Sequence, residues 1–394
     1  MMIDLDTAPP PGAERPLRVP WRKLRIAVVA VALSLLGAAA APPRPRVFPE
    51  VTNTGGRGVV AVLLTPEALY TVHHSVDEEV ELVARPLVPG GPSWSVQLSL
   101  NTMNDLLLTR SGSVLTISDE VSSTVLDAGT GRERWSAPSW ASPRVVGNRV
   151  LLAGSDDAGS GRLGLADVET GRILWTRPGD ASDALLDATG RYLLTLDGGG
   201  NVQVRSALDG RPLARRRLDD ESIDLRTSIR LVGDRVYVFG TATVTAFHLP
   251  GLIPAWPAPG SVLMPSDATT CGDLVCVVGR RGLSALDPVT GTTRWSSPDR
   301  MFYAGAVARA LDGRNVLLDP ATGRVVRRLG RGMVAGGLML RQDGDAGTQV
   351  TDLRTGQVYG SLPGVLPFGC VAAGEYLACS RHGGTVVFRV REAS

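Results

Sequence analysis

The sequence lacks the short motifs around which many enzyme active sites are built. It contains no Gly-x-Ser-x-Gly elbow, no HExxH pair, no phosphate-binding loop and no Cys-x-x-Cys. Those motifs supply a nucleophile, zinc ligands, a phosphate cradle or a redox pair of thiols. Their absence leaves no set of residues that defines a reaction, and we expect no catalytic residue, cofactor site or metal site.

An excess of charge of one sign is also missing. The chain has 41 basic and 39 acidic residues and a net charge of +2, and Lys23 is its only lysine. This balance provides no general attraction to nucleic acid. The strongest basic cluster is Arg211 with Arg215, Arg216 and Arg217. Without interleaved aromatic residues it predicts a charged edge strand, with a contact to a polyanion or partner as the alternative.

Potential metal ligands are few and poorly spaced. The densest group is His73-His74 followed by Asp77, Glu78 and Glu79. Adjacent side chains of a strand point to opposite faces, so the two histidines are poorly placed to share one metal. The acidic stretches Asp156-Asp157 and Asp343-Gly-Asp345-Ala-Gly347 lack the further ligands of a calcium loop and predict hairpin turns.

No long stretch after residue 45 has a helical period, and a repeat is present instead. The segments VLDAGTGRERW (125–135), LADVETGRILW (165–175) and ALDPVTGTTRW (285–295) share one spacing of Asp, Gly and Trp. Glycine permits the positive φ of a tight turn, and Asp accepts hydrogen bonds from the turn backbone. The repeat residues are Asp127, Gly131, Trp135, Asp167, Gly171, Trp175, Asp287, Gly291 and Trp295.

Weaker copies extend the pattern along the chain. Two keep Asp and Gly and lose Trp, at Asp319/Gly323 and Asp352/Gly356; three degenerate copies have their glycines at Gly90, Gly210 and Gly251. The last leads to Trp256 with one extra residue, and Gly210 leads to Ala214. We expect the tryptophans to be packing plugs between neighbouring sheets: Trp94, Trp135, Trp175, Trp256 and Trp295.

A period near 40 with four short strands per unit predicts an all-β fold, a β-propeller. The last two steps between turn glycines are only 32 and 33 residues, which leaves little room for four strands each. We therefore expect eight blades, with seven as the second choice, over residues 57–394. The last unit supplies three strands, and we expect the N-terminal segment to add the fourth, with Val47–Phe48 as a candidate.

The three strong copies resemble the tryptophan-docking repeats of PQQ-like, quinoprotein-type propellers, including BamB-like proteins. The resemblance covers about 90–390. It implies either a binding scaffold or a PQQ-dependent sugar or alcohol dehydrogenase. Catalytic members of this family hold calcium and the quinone above a disulfide between adjacent cysteines, and this chain has no Cys-Cys dipeptide.

The four cysteines are Cys271, Cys276, Cys370 and Cys379. Each close pair flanks the turn between the first and second strand of a unit. Four cysteines allow three connectivities, and local pairing is the simplest because each hairpin brings its two sulfurs together.

The N-terminal region predicts a membrane segment. Residues 1–20 are polar and Pro-rich and predict a disordered cytoplasmic tail. Within 21–41, the uncharged run 26–41 follows Trp21-Arg-Lys-Leu-Arg25. At ~1.5 Å per residue this run is shorter than the ~30 Å hydrocarbon core, so a cleaved signal peptide and a single-pass anchor are both open. We favour the anchor, with 42–56 as a linker and the propeller on the extracytoplasmic side.

These observations predict a non-catalytic, membrane-tethered scaffold that binds an unidentified protein or cell-envelope ligand and no nucleic acid. The expected binding surface is the face of the loops between blades. The alternatives are the PQQ-dependent dehydrogenase and a sensor that reports through the cytoplasmic tail.

Overall fold

The computed structural model describes residues 47–55, 58–74, 80–99, 106–119, 123–138, 140–146, 149–155, 159–179, 181–218, 227–344, 347–381 and 384–390. Within these ranges, all regular secondary structure is β-strand. None of the described ranges contains a helix that could cross a membrane. The predicted tail and membrane segment, 1–41, lie outside the described residues.

The 37 strands form nine antiparallel sheets, numbered here as blades in chain order. Blade one is β2(Val59–Leu64), β3(Ala68–His74), β4(Val80–Pro86) and β5(Trp94–Leu98). Blade two is β6(Leu107–Ser111), β7(Val114–Ser118), β8(Ser123–Asp127) and β9(Glu133–Ser136). Blade three is β10(Ala141–Val146), β11(Arg149–Ser155), β12(Gly161–Asp167) and β13(Ile173–Pro178).

Blade four is β14(Asp183–Leu186), β15(Tyr192–Leu196), β16(Asn201–Ser206) and β17(Pro212–Arg217). Blade five is β18(Ser228–Val232), β19(Arg235–Phe239), β20(Thr243–His248), β21(Ile253–Pro254) and β22(Gly260–Ser261). Blade six is β23(Asp267–Cys271), β24(Leu274–Gly279), β25(Gly282–Leu286) and β26(Thr293–Ser297).

Blade seven is β27(Arg300–Ala304), β28(Val307–Ala310), β29(Arg314–Leu318) and β30(Val325–Arg331). Blade eight is β31(Met333–Ala335), β32(Leu338–Asp343), β33(Gly347–Asp352) and β34(Val358–Pro363). Blade nine is β35(Cys370–Ala373), β36(Tyr376–Arg381) and β37(Gly384–Arg389), completed by β1(Glu50–Asn53).

The predicted count of eight blades, with seven as second choice, is therefore wrong. Blades seven and eight fit four strands into the short units because their connections are minimal. Gly305 and Ala306, both at positive φ, form the whole link between β27 and β28. Gly332 alone separates β30 from β31. Short connections, and not missing strands, account for the steps of 32 and 33 residues.

The first strand of each blade lies on the inside of the ring. Neighbouring blades contact one another through first strands, as in β2 with β6, β14 with β18 and β18 with β23. Fourth strands lie outside, and five of the six residues of β17 are exposed. The apolar core is divided among the interfaces between blades, where facing sheets bury Val, Leu and aromatic side chains.

The ring closes through the N-terminal segment, as predicted. β1 pairs antiparallel with β37, and Arg381 Nη2 donates to Glu50 Oε2 over 2.9 Å. The strand is 50–53, whereas Val47 makes only an isolated bridge to Ser361. The predicted linker 42–56 therefore ends inside the propeller, and Phe48, only 4% exposed, packs in the core between blades eight and nine.

Candidate functional site

The aspartates of the repeat hold the turn between the third and fourth strand. Asp287 Oδ1 accepts hydrogen bonds from the backbone N–H of Val289 and Thr290, and Arg294 Nη2 donates to Oδ2 over 2.6 Å. Asp127 makes the equivalent contacts, with Arg134 Nη2 at 2.6 Å. Hydrogen bonds lower the pKa of both carboxyls to about 2, and the bond from the arginine is the largest cause in each case. Asp167 accepts from Thr170 in the same way, and this lowers its pKa.

Each repeat tryptophan docks on the blade that follows its own. The indole Nε1 groups donate to the carbonyl oxygen one residue after the turn position of Asp, over 2.8–3.2 Å: Trp94 to Ala128, Trp135 to Val168, Trp175 to Ala207, Trp256 to Pro288 and Trp295 to Pro320. The ring lies on the turn glycine, where a Cβ on Gly171 would be only 2.4 Å from Trp135 Cγ. Glycine is thus required both for its φ of 68° and for the close approach of the indole.

The interface between blades four and five inverts this arrangement. Ala214 stands at the position of Trp, and Leu252 stands four residues before Trp256, at the position of the turn glycine. Leu252 has a φ of 53° and is buried in the core cluster that Ala214 packs against. The large side chain is therefore supplied by the turn and the small one by the strand. The apparent extra residue after Gly251 is explained, since Leu252 and not Gly251 occupies the turn position.

The cysteines form the two local disulfides, Cys271–Cys276 and Cys370–Cys379. Each joins the first two strands of a blade, β23 with β24 and β35 with β36. Cys271, Cys276 and Cys379 are buried, so the two disulfides lie within the cores between blades.

The histidine and arginine clusters noted in the sequence lie on different blades. His73 is opposite Glu81 in blade one, hydrogen-bonds to Thr71 Oγ1 over 2.8 Å, and has a pKa lowered by burial. His74 is its neighbour at the strand end, while 75–79, 156–158 and 345–346 lie outside the described residues. Across the part of the chain that the structure describes, no three His, Cys, Asp or Glu side chains are grouped as metal ligands. Arg215, Arg216 and Arg217 lie on the outer strand β17, where Arg216 stacks on Phe247.

A cleft of about 640 Å³ opens on the inner side of blades five to eight. We call it the inner-strand cleft. Its volume is in the range of small-ligand sites. Most of its lining residues are on first and second strands, and Asn315 is on a third strand: Arg230, Ser266, Asp267, Val278, Met301, Phe302, Tyr303, Ala304, Val307, Arg309, Asn315 and Val334.

The cleft extends along the first strand of blade seven. One end lies where the blades are joined, because Ser266 precedes β23, Asp267 begins it and Met301 is near the beginning of β27. Ala304 and Val307 flank the turn between β27 and β28, at the other end of that strand. The inter-blade loops, which are the predicted binding face, therefore border one end of the cleft.

A row of three side chains crosses blade seven inside the cleft. Phe302 is opposite Arg309, and Arg309 is opposite Asn315, across β27, β28 and β29. The Arg309 guanidinium lies 4.5 Å from the centroid of the Phe302 ring, which is 51% exposed. An exposed aromatic ring beside a cation is a typical anchor for a binding partner.

The two arginines of the cleft differ in whether a carboxylate lies beside them. Arg230 lies between Asp183 and Asp267, at 3.6 and 3.7 Å. Arg309 has Met333 Sδ at 3.4 Å as its hydrogen-bond acceptor, and none of the described carboxylates forms an ion pair with it. Burial raises the pKa of the neighbouring Tyr303, so its phenol stays neutral at physiological pH. The cleft therefore offers the guanidinium of Arg309, which pairs with none of the described carboxylates, beside an exposed aromatic ring.

The residues present do not match the cofactor arrangement that the quinoprotein resemblance implies. Neither disulfide joins adjacent cysteines, and both lie in the apolar cores between neighbouring blades. Tyrosine, arginine and asparagine, not carboxylates, supply most of the polar atoms of the inner-strand cleft. This donor set suits an anion better than a calcium ion.

Comparison with known proteins finds one family model that matches part of the repeats. The family model described as outer membrane protein assembly factor BamB matches residues 77–249. No curated protein matches the chain in sequence.

Three solved structures show the extent of the similarity in fold. BamB from Moraxella catarrhalis is 16% identical, with 89% of this chain and 99% of that chain covered and a TM-score of 0.49. A eukaryotic initiation factor is 11% identical, with 83% and 94% covered and a TM-score of 0.56. The C-terminal WD40 domain of Sif2 is 11% identical, with 88% and 99% covered and a TM-score of 0.50. At these identities the similarity concerns the fold alone.

Proposed function

We propose that this PQQ-like β-propeller is a non-catalytic scaffold that binds a protein partner at the inner-strand cleft. The observation that carries the proposal is the row of Phe302, Arg309 and Asn315, which places an exposed aromatic ring beside a cation that pairs with no described carboxylate, in an open cleft. Exposed aromatic and arginine side chains dominate the energetics of protein interfaces. The match to the model of an assembly factor supports a protein as the partner.

We further propose that the propeller is extracytoplasmic and tethered by 26–41. The two disulfides support this location, because disulfides persist in oxidising compartments. The basic residues that precede 26–41 favour a cytoplasmic tail by the positive-inside rule. The chain has no lipobox cysteine before the propeller, so the tether we propose is a helix and not a lipid.

Photo-crosslinking in cells tests the proposed binding site. A photoreactive residue would replace Phe302 in the cleft or, as a control, Val326, which is 63% exposed on the outer strand β30 of the same blade. We expect a discrete adduct with one protein from position 302, no adduct from 326, and loss of the adduct when Arg309→Gln is added. The same adducts from both positions would contradict a site in the cleft.

A further inference from the structure

Arg309 has more hydrogen-bond donors than the described residues satisfy. A guanidinium carries five N–H groups, and the sulfur of Met333 is a weak acceptor. Stacking on Phe302 holds the plane of the guanidinium without using its donors. The guanidinium is thus fixed in position and suited to a carboxylate, which it can bind through two parallel hydrogen bonds.

Asn315 has the opposite shortage, because its side-chain oxygen accepts no hydrogen bond from the described residues. Its Nδ2 donates to the carbonyl oxygens of Gly313, Gly330 and Gly332, over 3.0–3.3 Å. Three acceptors around one end of the amide fix its orientation, because a flip would place Oδ1 against them. Oδ1 is buried and has no hydrogen-bond partner among the described residues, and Asn315 is 1% exposed and lines the cleft. A buried acceptor of this kind is stabilised by a ligand that brings a donor.

The strand register places the two side chains next to each other. Directly opposite residues on neighbouring antiparallel strands have their Cβ atoms ~4.5–5.5 Å apart, so Arg309 and Asn315 can contact the same ligand. Gly330 follows Asn315 in the same row and contributes no side chain. The ligand that suits this pair carries an anion and a nearby N–H or O–H donor, with an apolar group attached.

We infer that the inner-strand cleft binds the free C-terminal residue of a partner protein. Its carboxylate accepts from Arg309, its backbone N–H donates to Asn315 Oδ1, and an apolar side chain packs against Phe302, Met301 and Val334. A chain end carries a carboxylate and an amide N–H on the same carbon, whereas an internal segment has no such carboxylate. This inference rests on the proposed function and names the part of the partner that is recognised.

A peptide titration with the purified full-length chain tests this assignment. The probe is a fluorescein-labelled Ser-Gly-Leu-Phe peptide with a free carboxylate, compared by fluorescence anisotropy with the same peptide as its C-terminal amide. We expect the amide to bind at least about tenfold more weakly, as the loss of a charge-assisted hydrogen-bond pair requires. Arg309→Gln should abolish the difference, and Arg309→Lys, which keeps the charge but not the fork, should retain part of it.

The control variant is Arg300→Gln, which removes the same charge from the neighbouring strand β27 of the same blade, at a position that does not line the cleft. We expect it to bind both peptides as the parent chain does, and thermal unfolding verifies that each variant is folded. Equal binding of acid and amide, no binding to the folded parent chain, or preference retained in Arg309→Gln would overturn the inference. Competition by N-acetyl-phenylalanine as strong as that of the peptide would overturn the assignment to a chain end. The crosslink from position 302 to one protein is independent of these results, so the proposed function can survive them.

Discussion

The indole Nε1 of Trp175 donates a hydrogen bond of 2.9 Å to the carbonyl oxygen of Ala207 in the next blade. The same ring covers Gly210, where a Cβ would come within 2.7 Å of it. One tryptophan thereby fixes the position of one blade on its neighbour, by packing and by a directed hydrogen bond. The same contact, made by Trp256 and by Trp295, positions blades five, six and seven, which form most of the inner-strand cleft.

Replacement of Trp175 by Ala is expected to lower the free energy of unfolding by ~3–5 kcal/mol, as for other large-to-small core changes. The side chain is 7% exposed, so most of its apolar surface is lost from the interface. Denaturant unfolding checks the value. Trp175→Phe keeps much of the packing and removes the hydrogen bond, so it should cost about 1–2 kcal/mol. An unchanged midpoint for the alanine variant would show that the indole is not a docking element.

The inverted interface predicts a strong coupling between Ala214 and Leu252. Leu252→Gly should cost ~2–5 kcal/mol for the buried side chain, reduced by roughly 1 kcal/mol because glycine relieves the left-handed backbone. Ala214→Trp should cost ~1–3 kcal/mol through overpacking. The double variant restores the order of the other interfaces and should be more stable than the two single effects predict, by ~0.5–3 kcal/mol. Additive effects in a double-mutant cycle would argue against the exchange of large and small side chains.

Stability is expected to fall as the pH drops from about 5 to about 2. The pKa of Asp287 is lowered to about 2 in the folded chain from an ordinary value of 3.8. A group with a depressed folded pKa stabilises the fold above its unfolded pKa and loses that contribution as the pH falls through the folded pKa. Asp287→Asn should therefore be less stable than the parent chain at pH 7, by a margin that shrinks towards pH 2. Arg294→Gln, which removes the first cause of the shift, should show the same trend in urea unfolding; a constant margin across this range would contradict the assignment.

Closure of the ring by β1 predicts a sharp effect of N-terminal truncation. A chain that begins at residue 46 retains Phe48 and the strand 50–53, and it should be a stable monomer. A chain that begins at residue 55 exposes the edge of β37 and the core between blades eight and nine, so it should self-associate. Light scattering after size-exclusion chromatography distinguishes the two. A monomer of unchanged stability from the shorter chain would show that β1 is dispensable.

The parts of the fold that depend on local chemistry could be predicted from the sequence. Asp, Gly and Trp at fixed spacing indicated the turns, the strands and the propeller, because turn hydrogen bonds and positive φ are local requirements. The blade on which each Trp docks could not be predicted in the same way, since Trp135 and Gly171 are brought together by the ring. Leu252 was hidden because the adjacent Gly251 resembled the turn glycine.

The inner-strand cleft carried no sequence motif. Its row of Phe302, Arg309 and Asn315 depends on the register of three strands, and an irregularity between Arg300 and Phe302 helps to set that register. The consecutive Met301, Phe302 and Tyr303 on an inner strand were the one available signal. Blade number depended on connections of one or two residues, which spacing between glycines could not reveal.

The central claim is that this propeller binds a partner and does not oxidise a substrate. Dye reduction by the purified full-length chain with PQQ, Ca²⁺ and a panel of alcohols and sugars tests it most directly, with heat-denatured protein and cofactor alone as controls. We predict a rate no higher than in these controls. Saturable reduction that requires both the folded chain and PQQ would contradict the account.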